Sequence, residues 1–267
     1  MSFLFSRNAV LTIGKKSGKA KRFSGLRINF NIEKNDEKTP NQAEINIYNL
    51  SSASRNFLDN NSDFCILEVG YRNILGTLFI GNDLKLEHSK QGLDIITKIK
   101  AGDSQKEIKA KHAELSYKKG TNLLSIVDNL ISSLGVATAN DKYKAKLKDI
   151  KITSSYADSG NAKDILTRLM EKKGFKVNIQ DGELFIESEI NDGKTKNKTI
   201  LTYETGLIAI NKKKDGLEVL SFIQPSIKPN NYIELITDEY KNSVYKIKQV
   251  FYAGDTHEGK WEAKIIV

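Results

Sequence analysis

The sequence predicts a mostly β protein of the α+β class, in which a small α+β module lies between two β-rich segments. Apolar and polar residues alternate in the first 100 residues and again after residue 199, which is the period of a half-buried strand. Between these segments, apolar residues recur at helical spacing. Hydrophobic residues make up 39% of the 267, which is enough for a packed core and excludes a disordered chain. We therefore expect domains at residues 1–110, 111–190 and 199–267.

The amino-terminal segment is predicted to be a β domain with one helix. Alternation predicts strands at residues 9–13, 25–33, 43–50, 64–71, 76–86 and 93–100. We expect the first of these strands to pair with the second across residues 14–18. Ser51 and Ser52 are suitable caps for a short helix over residues 53–58. Strands at this spacing favour a barrel or a sandwich closed on itself.

The middle segment is predicted to contain two helices and a hairpin. Apolar residues at helical spacing predict a helix that begins after Asn122 and stops at Gly135. A second helix is expected over residues 161–173, with Gly174 at its end. The pair Asp181-Gly182 separates two apolar runs and is typical of a tight hairpin turn.

The carboxy-terminal segment follows a polar connection at residues 187–198 and returns to β structure. We expect strands at residues 200–203, 206–210, 217–222, 232–236, 244–252 and 260–267. These strands either complete the first domain or form a second barrel, and the pattern alone leaves both possibilities open.

The net charge of +9 raises the possibility of nucleic-acid binding. Two basic clusters stand out: Lys15, Lys16, Lys19, Lys21 and Arg22, and then Lys142, Lys144, Lys146, Lys148 and Lys151. The even spacing of the second cluster places its side chains on one face only in a strand. Lysines are spread through every segment, so a solvated surface is the preferred interpretation of both clusters.

Few residues are suited to a disulfide or a metal site. Cys65 is the single cysteine, so no internal disulfide is possible, and we expect it to be a buried apolar residue. Three histidines and one cysteine are too few for a usual zinc site. His88 and His112 have no titratable neighbours in the sequence that define a site. We expect no bound metal, no cofactor, no signal peptide and no membrane anchor.

No catalytic motif is present, and we predict that the protein is not an enzyme. The sequence contains no glycine-rich phosphate loop, no Gly-x-Ser-x-Gly element and no His-Glu-x-x-His helix. Glu204 and Asp255 are the pair of carboxylates that a glycosidase would require, but nothing in the sequence fixes their separation. Asp255, His257 and Glu258 lie between two predicted strands, where the preferred interpretation is a turn in which Asp255 accepts hydrogen bonds from local amides. Trp261 follows this turn and is expected to be a core residue.

The order of several short elements resembles the baseplate hub proteins of tailed bacteriophages. The carboxy-terminal segment has a Thr-Gly-Leu element, a proline-containing stretch, and a Gly-Asp-Thr-His turn ahead of a tryptophan. Residues 40–51 and the Gly120-Thr121 pair before a helix also match this family. Asn230-Asn231 departs from the glycine-containing turn expected of the family, although asparagine tolerates the same positive φ. The residues that carry the resemblance as structural motif positions are Asn41, Asn49, Gly206, Leu207, Pro225, Gly254, Asp255 and Trp261.

The resemblance implies tail-tube-like β-barrel domains and a structural role in the virion tail baseplate. Hubs of this kind are trimers in which two such domains per chain present a pseudo-sixfold face to the hexameric tail tube. Their threefold face meets the central spike, other baseplate proteins surround them, and DNA passes through the lumen without specific binding. The protein is expected to be made in the host cytoplasm.

Two other functions remain as alternatives. The chain could be the hub of a phage-derived contractile injection particle of the tailocin or secretion-system type. It could also be a basic nucleic-acid-binding module that uses its net positive charge.

Overall fold

The computed structural model describes residues 4, 6–15, 18–35, 41–102, 111–138, 141–180, 183–188, 198–214 and 216–267. The chain divides into two compact units. The first, called here the sheet unit, contains Met1–Asp103 and Thr195–Val267. The second, the inserted unit, contains Ser104–Lys194.

The strands, in chain order, are β1 (Arg7–Gly14), β2 (Ala20–Phe23), β3 (Ile28–Asn35), β4 (Gln42–Tyr48), β5 (Phe64–Tyr71), β6 (Ile74–Gln91), β7 (Asp94–Gly102), β8 (His112–Tyr117), β9 (Ala137–Thr138), β10 (Tyr156–Asn161), β11 (Phe175–Gln180), β12 (Glu183–Ser188), β13 (Lys198–Leu201), β14 (Leu207–Lys213), β15 (Gly216–Phe222), β16 (Tyr232–Leu235), β17 (Ser243–Lys246), β18 (Gln249–Asp255) and β19 (Trp261–Ile266). The α-helices are α1 (Ser52–Asn60), α2 (Leu123–Leu134), α3 (Lys142–Leu147) and α4 (Ala162–Glu171), and one 3-10 turn spans Tyr203–Thr205.

The sheet unit is built around one antiparallel sheet in the order β14-β15-β19-β18-β3-β4-β7-β6-β5-β1-β2. The two ends of the chain meet where β18 pairs with β3, from Gln249 opposite Asn35 to Asp255 opposite Asn29. The described terminal strands therefore extend the sheet of the amino-terminal segment. The mostly β fold class is confirmed.

The expected closed barrel is not seen among the described residues. The end strands β14 and β2 each have a single paired neighbour, and no pairing joins them. Since β2 has only four residues and carries Lys21 and Arg22, it is short and charged, which is usual for an exposed sheet edge.

The predicted pairing of β1 with residues 25–33 is wrong. The partners of β1 are β2, with Leu11 opposite Phe23, and β5, while β3 lies between β18 and β4. The reason is that the chain turns twice here, at Gly18 and at Gly25, and both glycines have positive φ. The first turn makes the β1–β2 hairpin, and the second leads into β3.

The core of the sheet unit comes from one face of its strands. Leu11, Ile45 and Leu67 are fully buried, as expected from the period-two pattern. Cys65 is also fully buried, as predicted, and burial raises the pKa of its thiol to about 12. Helix α1 begins after Ser51, whose hydroxyl accepts a hydrogen bond from the backbone NH of Ser54.

The inserted unit has its own hydrophobic core, to which α2 and α4 contribute their apolar faces. Helix α2 begins after Asn122 and ends at Gly135 in a left-handed conformation, as the sequence predicts. Strands β11 and β12 form the predicted antiparallel pair, and the Asp181-Gly182 turn lies outside the described residues. The pairing of β8 with β10 was not predicted.

The lysines of the second cluster do not share one face of a strand, because residues 142–147 form α3. This helix buries Tyr143 and Leu147, which are four residues apart and share one helical face. Lys144 and Lys146 therefore lie on a helix, and Lys148 and Lys151 follow it.

A smaller sheet in the order β13-β16-β17 completes the sheet unit. Strand β13 runs parallel to β16, and β17 runs antiparallel to it. The single strand predicted at residues 244–252 is divided between β17 and β18, because the NH of the buried Ile247 turns to the carbonyl of Asn231. Of the helices described, none has the length and apolar character needed to cross a membrane.

Candidate functional site

The turn between β18 and β19 is ordered by the side chain of Asp255. The Oδ1 atom accepts hydrogen bonds from the backbone NH groups of His257 at 2.9 Å and Glu258 at 3.3 Å. These are the local amide contacts that the sequence predicts for this turn. The side chains of His257 and Glu258 are themselves exposed.

Arg27, which precedes β3, binds this turn. Its Nη2 and Nε atoms lie 2.9 Å and 3.2 Å from Oδ2 of Asp255, and Nη2 is 2.7 Å from Oε1 of Glu258. The guanidinium carbon also lies 4.7 Å from the ring centroid of Tyr48. The turn is therefore fixed to residues that are distant in the sequence.

Asp255 is ionised and fully engaged. Burial opposes ionisation of this carboxyl, but the hydrogen bonds from Arg27, His257 and Glu258 outweigh burial and lower its pKa. The hydrogen bond with Asp255 likewise raises the pKa of Arg27. A carboxylate held in this way has a structural role and does not serve as a general base or a nucleophile.

Thr256 and Arg7 attach the same turn to β3 and to β1, which are not adjacent in the large sheet. The NH of Thr256 donates to the carbonyl of Ile28 at 3.0 Å, and the NH of Ile28 donates to the Thr256 hydroxyl at 3.0 Å. Arg7 on β1 donates from Nη1 to the carbonyl of Gly259 at 3.0 Å. Contacts with β1 and β3 thus continue beyond the end of β18.

Gly254 and Trp261 face each other across the β18–β19 pair and meet Phe30 of β3. A Cβ atom at position 254 would lie 2.3 Å from Cζ of Phe30, so only glycine fits there. The Trp261 ring packs edge-on against Phe30, with a centroid distance of 5.6 Å. Trp261 is buried in the core of the sheet unit, as the sequence predicts.

The Thr-Gly-Leu element forms a compact turn between β13 and β14. Thr202 and Thr205 cap each other, each hydroxyl accepting a hydrogen bond from the backbone NH of the other residue. Gly206 adopts a φ of +106°, and a Cβ there would lie 2.8 Å from Cδ1 of Leu4. Leu207 then enters the core.

Pro225 and the asparagines of the motif set also lie at close approaches or turns. A Cβ atom at Gly76 would lie 2.7 Å from Cβ of Pro225, so the proline ring packs directly against this glycine. Asn41 is buried and accepts a hydrogen bond from the NH of Asn35 at 3.0 Å. Asn49 has a φ of 57° and accepts from the NH of Ile95 at 2.9 Å. Asn230 has a φ of 70°, which is the glycine-like conformation expected at this departure from the family pattern.

Glu204 and Asp255 do not form a paired site in the described structure. Glu204 is exposed on the 3-10 turn, and Asp255 is occupied by Arg27. Within the described ranges, no group of three or more His, Cys, Asp or Glu side chains could hold a metal ion.

Sequence reasoning missed the partners of His88 and of the first lysine cluster. The Nε2 atom of His88 lies 3.1 Å from Asp59, a residue of α1 that is 29 positions away. Lys21 donates to Ser54 at 2.8 Å, and Arg22 pairs with Glu68 at 3.2 Å. Lys15 and Lys19 flank the β1–β2 turn, and Lys16 lies outside the described residues.

The small sheet exposes an apolar face. Ile200, Glu234 and Val244 are opposite one another on β13, β16 and β17, and Ile200 and Val244 are 47% and 42% exposed. Ile236 continues the same side and is also exposed. We call Ile200, Ile236 and Val244 the outer face of the small sheet. The charge within it is neutralised, because Lys198 pairs with Glu234 at 2.6 Å.

The fold and its turns define a structural β protein, and its sequence assigns it to a family. The family model described as "Baseplate hub gp41" matches residues 8–252, and the chain belongs to this family. It is a component of the phage tail baseplate with a structural, non-enzymatic role. The resemblance to baseplate hub proteins and the prediction that the chain is not an enzyme are therefore confirmed. No curated protein matches the chain in sequence.

Solved structures of tail proteins share the fold. The 43 kDa tail protein of prophage MuSo2 from Shewanella oneidensis is 12% identical, with a TM-score of 0.63 and 98% of each chain covered. The tail protein from Neisseria meningitidis MC58 is 10% identical, with a TM-score of 0.61, over 98% of this chain and 96% of that one. The Escherichia coli protein c3393 is 12% identical, with a TM-score of 0.56, over 90% of this chain and 72% of that one. Its description makes it a component of the type VI secretion system with structural similarity to the T4 tail proteins gp27 and gp5.

Proposed function

We propose that three copies of this chain form a ring that joins the hexameric tail tube to the trimeric central spike and leaves an axial channel for DNA. Membership of the baseplate hub family supports this role, and so does the fold shared with tail proteins. The partners are then the tube protein, the spike protein and other baseplate proteins. The chain is made in the host cytoplasm and incorporated into the virion tail.

The observation that carries the proposal is the number of exposed apolar side chains in the carboxy-terminal part of the sheet unit, three of which form the outer face of the small sheet. Of the eight large hydrophobic side chains described as exposed, six lie between residues 200 and 244. Exposed apolar side chains that cluster in this way usually mark a contact surface. A cyclic ring buries such a surface against a different surface of the next copy, and closure leaves no unpaired copy.

We assign the outer face of the small sheet to the contact between copies. Because Lys198 and Glu234 neutralise each other within this face, burying it does not require an opposite charge on the partner. Its strand β13 is a sheet edge and has β16 as its single neighbour in the described sheet. The edge and the apolar side chains together favour an interface with another protein chain.

Light scattering on the purified chain, alone and mixed with the tube and spike proteins, tests the proposal. The expected result is a mass three times the 30.0 kDa of one chain, with binding to both partners. A protein that stays monomeric in every mixture and binds neither partner would contradict the proposal.

The hub of a phage-derived contractile injection particle is a second candidate function. The similarity in fold to the type VI secretion component c3393 favours it. Both candidates require a ring that docks onto a tube. They differ in the particle that contains the ring, which is a DNA-filled phage in the first case and an injection particle without DNA in the second. A tail tip that encloses no DNA in the assembled particle would favour the second candidate.

A further inference from the structure

Two segments that meet at the amino-terminal end of α2 in the inserted unit carry four exposed lysines. The NH of Gly120 donates to the carbonyl of Ile152 at 2.9 Å, and Asn122 forms an antiparallel bridge with Lys151. The segment before α2 therefore runs beside the segment after α3. This contact places side by side two segments that are distant in the sequence, each with two exposed lysines. We call these lysines the lysine patch: Lys118, Lys119, Lys148 and Lys151.

The lysine patch has a net positive charge, and no ion pair neutralises its lysines in the part of the chain that the structure describes. All four side chains are exposed, and none forms a hydrogen bond or an ion pair there. By contrast, Lys144 on the nearby α3 pairs with Asp141 at 2.7 Å. Asp149 is the one acidic residue in segments 118–123 and 148–152, so four lysines and one aspartate leave a charge of +3.

The surroundings of the lysine patch do not fit a protein partner. Protein interfaces are depleted in lysine and depend on buried apolar or aromatic anchors. Every large hydrophobic side chain described as exposed lies outside residues 104–194. The inserted unit therefore offers no apolar anchor, among its described residues, beside the lysine patch.

The same surroundings do not fit a single-stranded nucleic acid. Binding of single strands relies on aromatic side chains on which bases stack. The described tyrosines and phenylalanines of the inserted unit are buried or half-buried. Flexible ammonium groups without stacking partners are suited to the phosphates of a duplex, which carries one negative charge per about 1.7 Å of its axis.

We propose that the lysine patch binds the phosphate backbone of duplex DNA without reading its sequence. Each ammonium group approaches a phosphate and displaces condensed counterions, so binding weakens steeply as salt rises. Contacts with phosphates carry no sequence information, so two duplexes of different sequence should bind equally. This activity goes beyond the proposed adaptor role and does not depend on trimer formation.

The test is binding of the full chain to fluorescent duplexes of two unrelated sequences across a salt series. The patch variant is Lys118→Gln, Lys119→Gln, Lys148→Gln and Lys151→Gln. The control variant removes the same number of charges from exposed lysines elsewhere: Lys90→Gln, Lys172→Gln, Lys173→Gln and Lys176→Gln. Four phosphate contacts give a slope of log affinity against log salt of about −3 to −4. We expect the patch variant to lose about one unit of slope per lysine, and the control to stay within about one unit of the wild type.

Several results would overturn the proposal. These are the absence of duplex binding at about 50 mM salt, an equal loss in both variants, and tighter binding to single strands, polyglutamate or anionic vesicles than to duplex. A variant with arginine in place of all four lysines of the patch keeps the charge and should bind duplex DNA as the wild type does. Its binding would show that the loss in the glutamine variant comes from lost charge and not from misfolding. Light scattering on the patch variant keeps the two proposals distinct, since assembly should be unchanged when DNA binding is lost.

Discussion

Arg27 and Asp255 are 228 positions apart in the sequence, and their side chains meet at 2.9 Å. The pair joins the approach to β3 to the turn after β18, next to the place where β18 and β3 pair. This ion pair therefore reinforces the contact between β3 and β18, which joins the amino-terminal strands of the large sheet to its carboxy-terminal strands.

Replacing Arg27 by glutamine should destabilise the sheet unit. Asp255 would keep its burial and lose its charged partner, and loss of one member of such a pair costs several kcal/mol when the pair is fully buried. Since Arg27 is 30% exposed, we expect a smaller loss of about 1–3 kcal/mol in the free energy of unfolding. Urea unfolding followed by the fluorescence of the single tryptophan, Trp261, measures it.

Arg22→Gln is the matched control, because Arg22 also pairs with a glutamate but is 58% exposed. We expect a change of less than about 0.5 kcal/mol for this variant. Equal losses in the two arginine variants would contradict a special role for Arg27.

Replacing Gly254 by alanine should destabilise the protein through a clash. The added methyl group would lie 2.3 Å from the Phe30 ring, so the ring or β18 has to shift, at a cost of about 1–3 kcal/mol. Gly102→Ala is the control, since the atom nearest to its new Cβ is 4.0 Å away. The thermal unfolding midpoint of Gly254→Ala should therefore lie clearly below that of Gly102→Ala. If Phe30→Leu fails to restore part of the loss in Gly254→Ala, the clash is not the cause.

The stability that Asp255 provides should disappear in acid. Its pKa is lowered in the folded protein, so this contribution is present above the unfolded pKa, near 3.8, and is lost as the pH falls through the lower folded value. Asp255→Asn should therefore be less stable than the wild type at pH 7, and the difference should shrink below about pH 4. Urea unfolding at a series of pH values measures the free energy of unfolding of the wild type and of Asp255→Asn. A difference that stays constant down to pH 2 would show that the charge of Asp255 is not what stabilises the turn.

Placing charge on the outer face of the small sheet should prevent assembly. In Ile200→Lys with Val244→Lys, two ammonium groups would have to be buried between copies, which is costly without partners. We expect light scattering to report a single chain of 30.0 kDa, with an unchanged circular dichroism spectrum. The control is Leu93→Lys at the tip of the β6–β7 hairpin, where the side chain is 99% exposed, and it should assemble normally. An unchanged trimer in the double variant would show that copies do not meet at this face.

Local patterns in the sequence predict much of the fold. Helix α2 could be placed because its apolar spacing, its Asn122 cap and the terminating Gly135 are all local signals. Helix α3 was not predicted, although the spacing of Tyr143 and Leu147 was a usable helical signal.

Long-range relationships could not be predicted in this way. The hydrogen bonds within the Asp255 turn follow from residues two and three positions away, so the sequence predicts them. The contact of Arg27 with Asp255 depends on the strand order of the large sheet. The lysine patch depends on a bridge between two segments that are distant in the sequence. No periodicity in a single sequence encodes such contacts, because each pairing depends on the packing of the complete unit.

An electron-microscopy map of the tail tip tests the trimeric adaptor most directly. The account predicts three copies of this chain in a ring between the tube and the spike, with the outer face of the small sheet buried between neighbouring copies. A single copy, or a ring in which Ile200 and Val244 face solvent, would contradict it.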